Sequence, residues 1–476
     1  MGRSGGPPPS RLSRTRVWRQ LNLRRIVTHR PRLTVLGTGY LGITQAACMA
    51  SEGFEVLGLD VDAAKVARLR TGEVPIYEPG LDRLVTDGLS SGRLSFTTSY
   101  EQAAEFGDVH FLCVGTPQQR DGHGADTSQL DACLTSLAPW LRRPCLVVGK
   151  STVPAGTAAR LASLLTQLAP VGDAAEVCWN PEFLREGHGV QDTLTPDRVV
   201  VGVRSARAEA TLREIYGPQI EAGISFFVTD LVTAELSKVA ANAFLASKIS
   251  FINAVADVCD AAGADVTVLA DILGADPRIG GSFLRPGLGF GGGCLPKDIR
   301  AFQARAAELG ADDALRFLRE VDAINLGRRT RMVNLAAEAL GGSVTGRSVC
   351  VLGAAFKPGS DDVRDSPALD VAQILHGMGA EITVYDPAAM DNARKICPEF
   401  KYADSVLSAA AGADIVLLLT EWPEFAAIDP EALAAVTASR RLIDGRYMLD
   451  PATWRAAGWT YRASGIPGPR TSDQLR

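Results

Sequence analysis

Along most of the chain, short unbroken apolar runs alternate with longer stretches in which apolar positions return every three or four residues. An unbroken run of four or five fits a strand buried on both faces, and the wider spacing fits an amphipathic helix. The stretch "RLTVLGTGYLGITQAACMASEGFEVLGLDVD" predicts a strand over 33–36, a glycine turn, a helix to Glu52, and a strand over 55–59 ending at Asp60. Apolar runs in "DVHFLCVGTP" (108–117) and "CLVVGKSTVP" (145–154) continue the alternation. Such alternation predicts an α/β fold with a doubly wound parallel sheet. Ligands bind beyond the carboxyl ends of strands in these sheets, where Gly115, Thr116, Pro117, Ser151 and Thr152 fall.

The pattern then changes. From Leu231 to Ala262 the chain reads as one long helix, with Glu235, Lys238 and Asn242 on a single face. A second helical run covers about 312–340. Beyond it, "RSVCVLGAAFKPGSDDVRDSPALDVAQILHGMGAEITVYDP" repeats strand, glycine turn, helix, strand and acid, and "ADIVLLLTEWPEF" (413–425) echoes "GDVHFLCVGTPQ" (107–118). Gly353 is followed by Ala354, Ala355, Phe356 and Lys357, so the close-approach glycine is missing and this second unit is not expected to hold a dinucleotide. Lys357 suits a phosphate or sugar, or else a surface ion pair.

The first glycine turn is G-x-G-x-x-G in frame with strand, helix, strand and acid. Gly37 permits the tight turn, Gly39 admits a pyrophosphate, Gly42 lets helix pack on strand, and Asp60 accepts from a ribose, favouring NAD over NADP. The fold expected is two Rossmann-like doubly wound domains joined by a long-helix region. The divisions expected are a disordered basic extension over 1–30, an NAD-binding domain over 31–228, a central helical region over 229–340, a second nucleotide-binding unit over 341–465 and a disordered tail over 466–476.

Composition narrows the function classes. At 476 residues the chain exceeds one ordinary core, and 46% hydrophobic with 22% charged residues describes a soluble globular protein. Residues 1–32 hold nine arginines and no acid, so the rest carries a net charge of −14 rather than −5. An acidic body argues against nucleic acid as a partner. No apolar run is expected to reach membrane-spanning length, and the arginine-rich leader lacks the apolar core of a secretory signal. Nine cysteines without a C-x-x-C pair suggest a reducing, cytoplasmic setting, and five scattered histidines give no metal cluster.

The chemistry centres on "GFGGGCLPKD" (289–298). Dense glycine lets backbone approach something closely, and Pro296 suits the first turn of a helix running to Gly310. Cys294 then sits at a helix N-terminus with Lys297 nearby, conditions expected to lower a thiol's pKa and make it nucleophilic. A linker with a buried cysteine is the plainer alternative.

The motifs "GTGYLG", "CVGTPQ", "KSTVPAGT", "NPEFLREG", "ELSKVAANAFLASKISFIN", "GFGGGCLPKD" and "AFKPGSDDVRDSP" together resemble those of the UDP-glucose/GDP-mannose dehydrogenases over about 31–465. The resemblance implies four-electron oxidation of a nucleotide sugar's C6 alcohol by two NAD, with Cys294 as covalent nucleophile and a homodimer or higher assembly. It gives Lys238 and Asn242 an oxyanion role, Asp298 a water-mediated base role, Glu182 a part in thioester hydrolysis, and Thr152 a place beside them. Tyr40, Leu41, Lys65, Glu186, Lys297 and Arg364 join the cofactor contacts. Phe183, Leu184, Arg185, Arg278, Phe283, Leu284, Arg285, Gly289, Phe290, Gly291, Phe356, Lys357 and Arg446 join those to the sugar nucleotide, with Arg278 reaching the neighbouring subunit's substrate and the glycines admitting the ligand. Gly293 and Leu295 depart from many relatives, which have serine and an aromatic there. UDP-glucose is the expected substrate, with GDP-mannose or a UDP-N-acetylhexosamine as alternatives. A two-domain 3-hydroxyacid dehydrogenase and a turnover-free NAD or UDP-sugar regulator are the competing readings.

Overall fold

The computed structural model describes residues 30–467; the rest of the expected extension and tail, 1–29 and 468–476, lie outside the described residues. The first sheet has eight strands: β1 (Leu33–Leu36), β2 (Val56–Leu59), β3 (Leu94–Thr97), β4 (Val109–Leu112), β5 (Cys145–Gly149), β6 (Ala175–Trp179), β7 (Arg198–Gly202) and β8 (Ser225–Thr229). Their spatial order is β3-β2-β1-β4-β5-β6-β7-β8. Every strand residue from β1, β2 and β4 is buried, as unbroken apolar runs require, and separate cores fill the two faces. The order reverses between β1 and β4, which opens a ligand crevice at their carboxyl ends.

One neighbour pair departs from the expected all-parallel sheet. β6 and β7 are antiparallel, with Trp179 opposite Gly202. The connection between them carries a six-residue helix, Gly189–Leu194, rather than a full crossover helix. The chain leaving β6 therefore becomes a loop across the sheet's end, and that loop carries Glu182.

Glycine chemistry fixes the β1 turn. Gly37 has φ +90°, a Cβ on Gly42 would lie 1.8 Å from the Gly37 carbonyl oxygen, and a Cβ on Gly39 would meet nothing within 4 Å. Gly39 thus faces open space at the start of the Tyr40–Ser51 helix, where N–H groups favour an anion.

The helix Leu231–Ala262 begins where Asp230 accepts from Thr233 N at 2.8 Å and ends at Gly263 in the left-handed region, φ +71°. It contains a window of mean hydropathy 1.4, long and apolar enough to cross a bilayer, which corrects the expectation that no such run exists. Here it packs against the Leu295–Glu308 and Phe317–Ala339 helices, and Glu235, Lys238, Asn242 and Asn253 along it are buried. Glu235 accepts from Gly156 N at 2.6 Å and Ala158 N at 2.5 Å, capping the Thr157–Leu168 helix from another part of the chain.

The second sheet comprises β9 (Ser348–Leu352), β10 (Glu381–Tyr385), β11 (Lys401–Tyr402), β12 (Ile415–Leu418), β13 (Arg441–Asp444) and β14 (Thr460–Arg462). It is parallel throughout, in the order β11-β10-β9-β12-β13-β14, the same spatial order as the first six strands. Asp386, the counterpart of Asp60, accepts from Ala354 N, Ala355 N, Ala388 N, Ala389 N and Trp422 Nε1. An acid so committed has no acceptor capacity left for a ribose, which agrees with the missing glycine.

The last residues of the second unit, just before the expected tail, are tied to the long helix. Ser464 Oγ and Gly465 N donate to Asp260, at 2.9 and 2.6 Å, and Gly465 O accepts from Val266 N. Replacing Glu235 with alanine leaves two buried N–H groups unpaired, so Glu235→Ala should lower stability by about 1–3 kcal/mol. An unchanged chemical-denaturation midpoint would contradict that role.

Candidate active site

Cys294 stands at the N-cap of the Leu295–Glu308 helix and is the one exposed cysteine of nine, all of them free. It lies where the Glu182 loop, the long helix and the second unit converge. Lys238, only 4% exposed, places Nζ 3.0 Å from Glu182 Oε1 and over the Phe183 ring. One turn on, Asn242 Nδ2 donates to Asp298 Oδ2 at 2.6 Å, and Lys297 Nζ pairs with Asp298 Oδ1 at 2.6 Å. Glu182 also accepts from Leu184 N at 2.6 Å. Thr152 shares a small cavity with Lys297 and Asp298. The spacing of Lys238 and Asn242 on one helix face thus becomes two neighbouring polar contacts to acids from different elements.

The thiol is the reverse of the sequence expectation. Although Cys294 keeps a solvent-exposed face, the protein atoms crowded around its sulfur push the thiol up to about 12; Lys238 pulls down, but Asp298, Glu182 and Glu186 push further up. A helix N-terminus is worth about 0.3–1 kcal/mol, less than a tenfold effect, too little to offset desolvation plus three carboxylates. Lys297 cannot act as expected, because its ammonium is engaged by Asp298. Lys238 itself is penalised by burial, yet Glu182, Cys294 and Asp298 outweigh that and hold it above its ordinary value, so it is charged.

In the direction a Cβ would take, the glycines are filled by other parts of the chain. A Cβ on Gly289 would meet Asn325 Oδ1 at 2.3 Å, on Gly291 the Asp365 carbonyl at 2.1 Å, on Gly292 the Phe356 ring at 2.7 Å, and on Gly293 the Arg364 guanidinium at 2.6 Å. They admit the second unit and the Phe317–Ala339 helix. Asn325 completes this seating: it accepts from Phe290 N at 2.7 Å and donates to Phe290 O at 3.0 Å. Asn253 accepts from Gly287 N at 2.8 Å. Asn325 lies outside every motif quoted above, and Asn253, although it ends "ELSKVAANAFLASKISFIN", is assigned no role there.

The two units meet across this loop. Lys357 Nζ donates to Glu186 O at 2.5 Å, Ser360 Oγ to Glu186 Oε2 at 3.2 Å, and Arg364 Nη2 to Glu186 Oε1 at 3.4 Å. Burial and then Asp362 raise Glu186, and burial lowers Lys357 despite Glu186, so desolvation outweighs attraction at this junction. Arg446 donates to Leu419 O, Gly289 O and Phe356 O. With Leu284, Arg285 and Tyr447 it lines a cavity of about 500 Å³, a size suited to a small-molecule ligand. Phe283, Asp365 and Tyr447 all have positive φ, and all three lie on loops reaching this region.

At the first turn, Asp60 Oδ2 accepts from Thr38 N, Thr38 Oγ1 and Lys65 Nζ at 2.9, 2.8 and 2.9 Å. Burial raises its pKa, but these donors together hold it below the usual carboxylate range. The Tyr40 hydroxyl bonds Glu78, and both hold Gly187 N, so Tyr40 braces the Glu186 loop; Leu41 packs in the core. Glu78 had no sequence signal either. Thr116 Oγ1 donates to Thr152 O at 2.7 Å and Ser151 Oγ to Val114 O at 2.6 Å; Gly115 and Pro117 lie beside them at the end of β4. Open space at Gly39, the helix N-terminus and an ionised Asp60 fit a dinucleotide.

Two expected contacts point elsewhere within the chain. Arg185 is bound by Asp192 through Nε and Nη2. Arg278, 87% exposed at its side chain, pairs with Asp276.

Two nucleotide-type folds, with a cysteine, a lysine and acids between them, define a dinucleotide-linked dehydrogenase that acts on a second nucleotide ligand. The chain belongs to the UDP-glucose/GDP-mannose dehydrogenase family: residues 31–220 match its NAD binding domain, 232–326 its central domain and 350–451 its UDP binding domain. It is 40% identical to a UDP-glucose 6-dehydrogenase of Rhizobium meliloti (strain 1021), over 92% of this chain and all of that one. A UDP-glucose dehydrogenase from Pyrobaculum islandicum superposes with TM-score 0.84 at 36% identity, covering 94% of this chain and 100% of that one. A UDP-D-ManNAc dehydrogenase from Pyrococcus horikoshii gives 0.80 at 28%, covering 91% and 99%.

With the thiol raised, thiolate is the minor form at neutral pH. Iodoacetamide labelling of Cys294 should therefore climb about tenfold per pH unit between about pH 7 and 10 without a plateau. Lys238→Met removes the cation that pulls the thiol down and should slow labelling further. A plateau reached by about pH 8 would overturn the assignment.

Proposed function

We propose that the chain is an NAD-dependent UDP-glucose 6-dehydrogenase, oxidising the sugar's C6 alcohol to a carboxylate through a covalent bond to Cys294. The observation that carries this reading is the convergence of Cys294, Lys238, Glu182, Asn242 and Asp298 between two nucleotide-type folds. NAD, held at the Gly37–Gly42 turn, supplies the hydride acceptor.

An aldehyde has no hydride to give until a nucleophile adds to its carbonyl. The Cys294 sulfur adds to C6, a second hydride departs as a thioester forms, and water then cleaves the carbon–sulfur bond to leave carboxylate and thiol. Lys238 stabilises the oxyanion at each tetrahedral stage, being charged and nearly buried. Asp298, oriented by Asn242 and Lys297, takes the alcohol proton through water. Glu182 assists the attacking water at the last step. Four electrons leave the sugar and two NAD accept them. The 500 Å³ cavity bearing Arg285 and Arg446 suits the diphosphate, because guanidinium forks match phosphate oxygens.

The working unit is a homodimer. Phe244, Phe251 and Val258 are exposed at seven-residue intervals on the long helix, beside exposed Val268 and Ile272, an apolar stripe fitted to a second copy. Arg278, exposed next to Ile279, then reaches the neighbour's substrate. Eight buried free cysteines suit a reducing cytoplasm.

Purified protein given NAD with UDP-glucose, GDP-mannose or UDP-N-acetylhexosamines should make two NADH per UDP-glucose consumed. NADH only with another sugar, or one NADH per sugar, would overturn the assignment. Cys294→Ser should abolish acid formation and leave NAD binding intact. Phe251→Asp should shift the protein to monomer in light scattering; an unchanged dimer mass would rule out that helix face.

A further inference from the structure

Behind the Glu182 loop lies a cavity of about 50 Å³ that the chemistry above does not use. Its lining includes Gln45, Lys150, Asn180, Glu182, Asp192 and Tyr216. At roughly 10–15 Å³ of such volume per molecule, it has room for about three to five waters.

The lining is built for water. Gln45, on the helix after the dinucleotide turn, is 2% exposed, and its Nε2 has no hydrogen-bond partner. Lys150, 5% exposed, has no carboxylate partner among the described residues. Its ammonium donates to Asn180 Oδ1 at 2.9 Å and the Tyr216 hydroxyl at 3.3 Å and lies 5.9 Å from the Phe111 ring centre, so its third N–H has no oxygen or nitrogen acceptor. Asn180 Oδ1 is filled by Lys150 and Tyr216, and its amide nitrogen gives one of its two N–H groups to Val200 O. An orphaned amide and a surplus ammonium N–H around a polar space are what ordered water satisfies, and leaving such groups dry is costly.

Glu182 joins this space to the reaction. Glu182 is among the lining residues, and its carboxylate touches Lys238, whose charge is coupled to Cys294. We infer that the cavity is a water store feeding the hydrolytic step through Glu182, with Gln45 and Lys150 as its positioning residues. This rests on the covalent reading above. In the step, a water oxygen bonds to the thioester carbon while one of its protons passes to Glu182. The carbon–sulfur bond then breaks, and the sulfur leaves with the proton that Glu182 returns. The products are the carboxylic acid, which ionises, and the free thiol; no electrons change hands.

The test uses full-length protein in a single turnover with UDP-glucose and NAD, quenched in acid and weighed intact. Gln45→Leu replaces the amide with an apolar side chain of similar size. It should not lower the melting temperature, and it should leave both hydride transfers at their wild-type rate. Acid release should slow roughly tenfold or more, and the sugar nucleotide should accumulate on Cys294. Gln45→Met, more flexible, repeats the measurement should the leucine variant fail to fold. Glu182→Gln is the control and accumulates adduct whatever feeds it. Wild-type acid release and no adduct in the Gln45 variants, with adduct in Glu182→Gln, would overturn the water store alone. Absence of adduct in Glu182→Gln as well would overturn the hydrolytic role of Glu182 and this inference with it, whereas the covalent reading falls only if Cys294→Ser still forms acid.

Discussion

The ion pair between Lys238 and Glu182 is the contact on which the rest of the site depends. An ammonium almost wholly removed from water is costly unless an opposite charge or close hydrogen-bond acceptors compensate it, and for Lys238 Glu182 supplies the charge at 3.0 Å. That requirement ties the loop leaving β6 to the long helix. It also sets a cation and an acid beside a thiol whose own ionisation is disfavoured. Strong desolvation makes each charge matter more, because no water screens it.

The same economy of buried charge explains why two units of one topology have different tasks. Asp60 and Asp386 end equivalent strands. Asp60 meets a threonine and a lysine beside an open glycine, so its surroundings leave room for a ligand. Asp386 is consumed by four backbone N–H groups and an indole, and it rigidifies the turn that carries Phe356 and Lys357 towards Cys294. One acid remains available to a partner outside the chain, whereas the other has become part of the scaffold.

The glycine-rich loop records the cost of bringing the two units together. Each of its glycines abuts an asparagine, a carbonyl, a phenyl ring or a guanidinium from a distant part of the chain. Gly293 is the telling case, since Arg364 occupies the place a serine side chain would need. The residue next to Cys294 is thus coupled to the charge cluster of Glu186, Asp362 and Arg364 that joins the units.

The sequence alone determined the elements. Strand and helix periodicity located β1, β2, β4 and β5 and the Leu231–Ala262 helix, because local patterning of apolar residues decides which face a segment must bury. Motif spacing likewise put Lys238 and Asn242 on one helix face and singled out Cys294, since those relations are local. What only the tertiary structure decided were the partners: Asn325 under Phe290, Glu78 under Tyr40, Arg185 turned to Asp192, and a thiol raised rather than lowered. Those contacts depend on how loops and helices fold back on one another, across 35 residues for Asn325 and Phe290 and 38 for Glu78 and Tyr40, and no local apolar pattern encodes their distance or their exposure to water.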